Sequence, residues 1–175
     1  MIQDSNIPEL KIMGFKADIT DVMAVLNKIN QISSGSNCTL QLMDARGLAG
    51  KEHVSHAILH ALNAFKRKTN IAKDLGMEIC VRTSAQRQIS KAIDILGLKE
   101  GPMEICAIVI GCSTELEDEL NSFFENEKFR RDDDVLEPDE MVLTEIYGLE
   151  NAEIELMDHL PYILMERTTL LILDA

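Results

Sequence analysis

The sequence predicts an α/β (mixed α+β) fold: one domain over residues 1–175, with a C-terminal helical part from about residue 138. Short apolar runs alternate with longer segments of helical periodicity, which is the pattern of a sheet covered by helices. The 175 residues and 46% hydrophobic content suit one domain with a substantial core. We expect a mixed or antiparallel sheet of about four strands packed with helices, and the pattern leaves strand order open.

Each element has its own local signal. The first half is predicted to contain a strand at LKIMGF (10–15), a helix from Asp18 to about Ile32 that ends at SSGSN, a strand at CTLQLMDA (38–45) and a helix from about 51 to 68. The second half is predicted to begin with a strand at MEICVR (77–82), a helix from Thr83 to Gly97 and a continuous apolar strand at EICAIVIG (104–111). These are followed by an acidic helix capped by Ser113 or Thr114, an exposed charged loop over 126–140, and helices near 138–147 and 160–172.

The four cysteines are predicted to lie on strands or at strand ends, and no two of them form a CxxC pair. We interpret them as small buried hydrophobes in a reducing cytosol, and not as disulfides or zinc ligands. The start MIQDSNIPELK lacks the pattern of a secretory signal, and the longest apolar runs are too short to span a bilayer. We therefore expect a cytoplasmic protein with no membrane partner.

The charge is distributed unevenly. The whole chain has a formal charge of −13, yet residues 46–99 contain ten Lys/Arg against four Asp/Glu, while the rest contains seven against 26. Such an asymmetry predicts a basic working surface on an otherwise acidic body. The alternative is that these cations only solvate helix faces and pair locally, and the scarcity of nearby acids makes it less favoured.

The helix at 51–68 has an apolar stripe that must face the sheet, and its periodicity predicts His53, His56, His60 and Arg67 on the opposite, hydrated side. No HExxH is present, and histidines at i, i+3 and i+7 spread too far to ligate one ion, so we expect no metal and no cofactor. GxSxG, P-loop and GxGxxG motifs are also absent, and Asp132 to Asp134 are interpreted as a solvated charge run.

Several cations are predicted to converge. Lys66, Arg67 and Lys68 end one helix, Arg82 ends the next predicted strand, and a helix N-terminus near Thr83 and Ser84 follows. Arg87 and Lys91 are one turn apart on that second helix and face outward together. A strand end, a helix N-terminus and several cations can hold a phosphate backbone or a folded RNA end. An ordinary capped helix has the same pattern.

The stretch AGKEHVSHAILHALNAFKRKTNIAKDLGMEICVRTSAQRQISKAIDILGLKEG resembles the small accessory subunit of the archaeal and eukaryotic KEOPS complex, whose human counterpart binds an atypical protein kinase. The resemblance covers roughly residues 38–111 well and the flanks by element order. Its most specific pieces are NIAKDLGMEI, RTSAQRQISKAI and GLKEG. The family fold is a mixed α/β domain.

The resemblance implies a non-catalytic function in tRNA modification. That complex installs threonylcarbamoyl on an adenosine of tRNA, and another subunit performs the chemistry. The family docks on the small kinase/ATPase subunit and, in archaea, helps recruit tRNA by holding its CCA tail. The matching residues expected to bind RNA are Lys66, Arg67, Lys68, Asn70, Ile71, Arg82, Arg87 and Lys91.

The implied functions of these side chains differ. Lysine and arginine would neutralise phosphates, Ile71 would stack on an unpaired base, and Asn70 would read a base edge. Two other functions stay open: a pure protein-interaction adapter that regulates a small kinase without direct RNA contact, and a small hydrolase that uses the histidines. The C-terminal segment PYILMERTTLLILDA is expected to pack on the core, or else to contribute to a subunit interface.

Overall fold

The computed structural model describes residues 8–149 and 159–172. The strands are β1 (Leu10–Ile19), β2 (Thr39–Asp44), β3 (Gly101–Ile110) and β4 (Arg130–Arg131). The α-helices are α1 (Val22–Ser33), α2 (Gly50–Arg67), α3 (Leu75–Ser84), α4 (Ile89–Leu96), α5 (Thr114–Asn126), α6 (Glu140–Tyr147) and α7 (Leu160–Leu170). Short 3-10 helices cover Ala45–Gly47 and Asp133–Leu136.

The described strands form one antiparallel sheet in the order β2-β3-β1-β4. β1 and β3 pair along their full lengths, from Leu10 opposite Ile110 to Ile19 opposite Gly101. This long partner explains why β1 continues beyond the predicted 10–15 and why α1 begins at Val22 instead of near residue 18. The predicted mixed α/β domain with a sheet of about four strands is confirmed, and its antiparallel alternative is the one that forms.

Helices cover both faces of the sheet. On one face α2, α3 and α4 pack on a core that includes Cys106 and Ile108, and on the other α1 and α5 pack on Ile105 and Ala107. Successive β3 side chains therefore enter two different cores, because neighbouring residues of a strand point to opposite faces. Burial on both faces explains why β3 is apolar at almost every position, although both its neighbours are antiparallel.

The predicted strand at MEICVR is wrong, because these residues lie in helix α3. Asp74 caps that helix, and its Oδ1 accepts the Met77 N–H at 2.8 Å. Every residue from Glu78 to Ser84 is buried, so the helix has no exposed polar face opposite an apolar one. Its polar residues are Glu78, Arg82, Thr83 and Ser84, and they do not form one side that would reveal a helical period.

The predicted helix start at Thr83 is also wrong. Thr83 and Ser84 lie in the last turn of α3, where their hydroxyls donate to the carbonyls of Ile79 and Val81. The next helix, α4, begins at Ile89 and ends before Gly97, as predicted. Gly97 has extended backbone, with φ −70°, and not the predicted left-handed one. Glycine is required there because a Cβ would lie 2.4 Å from the Ile93 carbonyl oxygen.

Two predictions of exposure are wrong. His53 lies in the core with 0% exposure, because α2 packs against both α3 and α7. Within residues 126–140, the polar side chains do reach solvent, but Phe129, Val135 and Leu136 are buried. This segment therefore contains β4 and a 3-10 helix that pack on the sheet, and it is not a simple exposed loop.

The cysteine prediction is half right. Cys80 and Cys106 are buried free thiols, as expected, although Cys80 lies in helix α3 and not on a strand. Cys38 and Cys112, however, form a disulfide, with Cα atoms 4.4 Å apart. The bond forms because the pairing of Thr39 with Ile110 brings the residue before β2 beside the residues after β3.

The C-terminal helices pack on the core, as favoured by the sequence. Leu160 and Leu164 of α7 join Leu143 and Tyr147 in a small apolar cluster. The Tyr147 hydroxyl donates to the Gly47 carbonyl at 2.7 Å. These contacts position the end of α7 beside α2 and α3. None of the helices in the described parts of the chain is both long and apolar enough to cross a lipid bilayer.

Candidate nucleic-acid interface

A cleft of about 300 Å³ opens where α2 ends. It lies between the last turns of α2, the segment that follows it, helix α3 and the C-terminal end of α7. We call it the arginine cleft, and it is lined by His60, Asn63, Ala64, Arg67, Thr69, Ile71, Arg82, Arg87, Leu171 and Ile172. Three of these residues are arginines and none is an acid, so the lining can attract an anion.

The backbone conformation at the end of α2 determines the directions of the basic side chains Lys66, Arg67 and Lys68. Arg67 is the last helical residue, is exposed and lines the cleft. Lys68 has a left-handed backbone with φ 59°, and the N–H of the next residue, Thr69, donates to the Ala64 carbonyl at 2.9 Å. This cap turns the chain sharply back. Lys66 and Lys68 are therefore exposed beside the cleft without lining it.

Arg82 lies in the cleft wall, but its environment differs from the prediction. Its side chain is only 4% exposed, and its Nε and Nη2 each lie 2.8 Å from Glu78 Oε1. The two residues are one turn apart on α3 and form a buried ion pair. The charge of Arg82 is thus largely balanced, so the expected exposed cation at a strand end is wrong.

The segment after α2 is fixed to the same carboxylate. Glu78 Oε2 accepts the N–H groups of Ile71 at 2.8 Å and Ala72 at 2.7 Å. The Asn70 side-chain nitrogen donates to the Ala72 carbonyl at 2.8 Å. The Ile71 side chain remains 37% exposed at the cleft rim, while the amide nitrogen of Asn70 is occupied within its own loop.

Arg87 and Lys91 belong to the α3–α4 side of the site. Arg87 lines the arginine cleft, and its Nη2 donates to the Leu171 carbonyl at 3.3 Å, next to the end of α7. A neighbouring depression of about 300 Å³ is lined by Ala85, Gln86, Arg87, Gln88, Lys91 and Leu171. The N-cap residue of α4, Gln88, makes no side-chain capping bond. The helix N-terminus near these cations is therefore that of α4, and not one at Thr83.

The structure brings four of the eight predicted residues into the arginine cleft and leaves four around it. The cleft contains Arg67, Ile71, Arg82 and Arg87, while Lys91 lines the next depression and Lys66, Lys68 and Asn70 flank the cleft. The other lining residues are not among the predicted eight: His60, Asn63, Ala64, Thr69, Leu171 and Ile172. For the α2 members a signal existed, since residues 60, 63 and 67 lie at helical spacing on one side.

The histidines of α2 do not share one environment. His53 Nδ1 accepts the Ala49 N–H at 3.1 Å in the core, and His56 Nε2 lies 3.0 Å from the Thr169 hydroxyl. His60 lines the cleft, where burial, and then the charges of His56 and the cleft arginines, lower its pKa. In the described parts of the chain, no three His, Cys, Asp or Glu side chains form a group able to hold a metal ion.

Comparison with known proteins identifies the family. The model of the family described as kinase binding protein CGI-121 matches residues 17–170. A curated relative, the regulatory protein Cgi121 of Methanocaldococcus jannaschii, is 39% identical over 113 residues, which cover 65% of this chain and 70% of the relative. The family expected from residues 38–111 is thereby confirmed. This chain belongs to the kinase binding protein CGI-121 family.

Proposed function

We propose that this protein is a non-catalytic, cytoplasmic subunit of the KEOPS complex that modifies tRNA with threonylcarbamoyl-adenosine. It binds the kinase/ATPase subunit and recruits tRNA through its CCA tail. Family membership supports the kinase partner. The observation that carries the RNA part is the arginine cleft, in which cations from α2 and from the α3–α4 segment meet an exposed isoleucine.

The charge of the cleft fits a nucleic-acid backbone. Arg67 lies at the cleft with no acid in the lining, and Lys66, Lys68 and Lys91 are exposed around it. Phosphate contacts by lysine and arginine supply most of the affinity for RNA and make that affinity fall with salt. Because Glu78 balances Arg82, few net charges act in the cleft. We therefore expect modest affinity for the isolated chain and tighter binding in the assembled complex.

The shape of the cleft fits an unpaired RNA end better than a duplex. A volume of about 300 Å³ is that of a small ligand site. Single-stranded bases are bound by stacking on side chains and by hydrogen bonds to their edges. Ile71 and Ile172 supply apolar surface at the cleft. Since the nitrogen of Asn70 is occupied by Ala72, Asn63 is better located than Asn70 to donate to a base edge.

A salt-titrated binding assay tests this function. We would measure binding of full-length tRNA and of the same tRNA without its CCA end. Lys66→Glu, Arg67→Glu and Lys68→Glu together should weaken binding at least tenfold and flatten its salt dependence. Removal of the CCA end should weaken wild-type binding to a similar degree. Lys128→Glu, a single exposed charge reversal two residues after the end of α5, is the control and should bind normally.

The same variants distinguish the proposed function from a second candidate function. In that second function the protein is an adapter that regulates the kinase without contacting RNA. The description of the family as kinase binding favours that function as a second candidate. Under it, the charge-reversed protein would bind tRNA like wild type and lose the kinase subunit. Equal binding of tRNA with and without CCA would also reject the proposed RNA contact.

A further inference from the structure

Glu78 is a fully buried acid that the proposed RNA contact does not itself use. Its side chain is 0% exposed, and its two oxygens serve different parts of the arginine cleft. Oε1 accepts from Arg82 in the cleft wall, and Oε2 accepts the backbone N–H groups of Ile71 and Ala72 at the rim. One carboxylate therefore joins the wall of the cleft to its rim.

We propose that Glu78 is the positioning residue of the arginine cleft. It holds the Arg82 guanidinium against α3 and keeps the Ile71 side chain at the cleft edge. This inference rests on the proposed function, since the cleft that Glu78 shapes is the one assigned there to RNA. Glu78 itself does not contact the RNA.

The chemistry of the site requires an ionised carboxylate. Within residues 8–149 and 159–172, the groups hydrogen-bonded to Glu78 are all N–H donors: the Nε and Nη2 of Arg82 and the backbone amides of Ile71 and Ala72. A carboxylate offers two acceptor oxygens and no donor. A glutamine offers one acceptor oxygen and an NH₂ group, which would face another donor. A buried arginine that loses its acid is left as an uncompensated charge.

The ion pair also fixes the direction of Arg82. Contacts within the described residues engage its Nε and Nη2 edge, while the residue lines the cleft. The carbonyl of Arg82 accepts the Thr168 hydroxyl at 2.7 Å, which ties α7 to the same turn of α3. The rim, the wall and the C-terminal side of the cleft are thus connected through two residues of one helix.

The substitution Glu78→Gln distinguishes a positioning role of Glu78 from a purely electrostatic one, because the two roles predict opposite changes in RNA affinity. The change removes one negative charge beside the cleft, so electrostatics alone predicts stronger RNA binding. Positioning predicts weaker binding, because the rim and the arginine lose their shared acceptor. We expect Glu78→Gln to bind a short single-stranded RNA ending in CCA at least tenfold more weakly than wild type.

A matched control and an RNA-independent measurement complete the test. Glu52→Gln makes the same charge change in the first turn of α2, about 22 Å along the helix from Arg67, and should bind like wild type. Amide hydrogen exchange should show protected Ile71 and Ala72 N–H groups in wild type and faster exchange of both in folded Glu78→Gln. Unchanged or tighter RNA binding by folded Glu78→Gln overturns the inference.

Two further outcomes are also decisive. If Glu78→Gln does not fold, Glu78→Asp replaces it, since this variant keeps the charge and shortens the reach, and it should also weaken binding. Wild-type Ile71 and Ala72 amides that exchange as fast as those of an unstructured peptide would overturn the inference without any variant. Wild-type protein that fails to bind the RNA overturns the proposed function, whereas wild-type binding with equally strong Glu78→Gln binding overturns the positioning function alone.

Discussion

The buried histidine of α2 makes a specific prediction about stability and pH. His53 is 0% exposed, and its Nδ1 accepts the Ala49 N–H. Its Nε2 has no partner at hydrogen-bond geometry among the described residues. Burial lowers the pKa of His53 to about 4, and the nearby Thr83 backbone opposes that shift only in part. The folded protein therefore holds this imidazole in its neutral form at neutral pH.

The size of the effect follows from the two pKa values. In the unfolded chain His53 takes up its proton near the ordinary pKa of 6.5, whereas in the folded chain it takes up the proton only near pH 4. The neutral base is the favoured folded form, so its contribution is fully present above pH 6.5 and is lost as pH falls toward 4. Linkage gives a loss of about 2 kcal/mol between pH 7.5 and 5, and about 3 kcal/mol below pH 4.

The assay is urea unfolding of wild type and His53→Asn at pH 7.5 and pH 5. Asparagine can keep the acceptor for the Ala49 N–H, because its Oδ1 replaces Nδ1, and it takes up no proton in this range. The fall in the free energy of unfolding should be about 2 kcal/mol larger for wild type than for the variant. His159→Asn, an exposed change, should preserve the wild-type fall.

An equal fall in wild type and His53→Asn would refute this reasoning, because it would mean that His53 titrates alike in the folded and unfolded chains. The comparison of variants is needed because the pKa of His60 is also lowered by burial. That residue contributes to the acid sensitivity of both proteins and cancels in the difference.

Three more variants test the packing. Cys38→Ser with Cys112→Ser should lower the free energy of unfolding by about 4 kcal/mol without reductant, because the bond closes a loop between residues 74 apart; dithiothreitol should abolish the difference, and equal stability in its absence would contradict the pairing. Gly14→Ala would put a Cβ 2.4 Å from the Asp132 carbonyl oxygen, and we expect a loss of about 1–3 kcal/mol, seen as a lower midpoint in thermal unfolding followed by circular dichroism. Asp21→Ala removes the N-cap bond of α1 and should cost about 1 kcal/mol; an unchanged urea midpoint would argue against that cap.

Elements with a clear local period could be predicted from the sequence. Helix α2 has an apolar stripe and polar residues at helical spacing, and it was expected at 51–68 and lies at Gly50–Arg67. Helix α3 could not be recognised by the same means, because its polar residues are buried and do not form one exposed side. The signal that was available is the spacing of Glu78 and Arg82, since an acid four residues before a base is a helical pair.

The residues of the candidate site also fall into those that a local sequence pattern could predict and those that depend on tertiary packing. The basic run at the end of α2 predicted an exposed cation at the cleft, and Arg67 lies there. The burial of Arg82 against Glu78 depends on α3 being a helix, so the error in secondary structure carried over to the site. The Cys38–Cys112 bond requires the pairing of β2 with β3, which no local pattern contains. Leu171 and Ile172 reach the cleft only through the packing of α7.

The side of β1 that pairs only with the two-residue strand β4 has a consequence for self-association. An exposed strand edge is a template on which another chain can form a β-structure. Here β4 supplies two arginines along that edge. Beside it the Gly14 N–H donates to the Asp133 carboxylate at 2.8 Å, and the Gly14 carbonyl oxygen accepts the Asp132 N–H at 2.9 Å. At Gly14 a foreign strand would meet backbone groups that are already hydrogen-bonded, beside the ion pairs Arg131–Asp133 and Lys16–Asp132. Addition of another strand is thus disfavoured at this part of the border of the sheet.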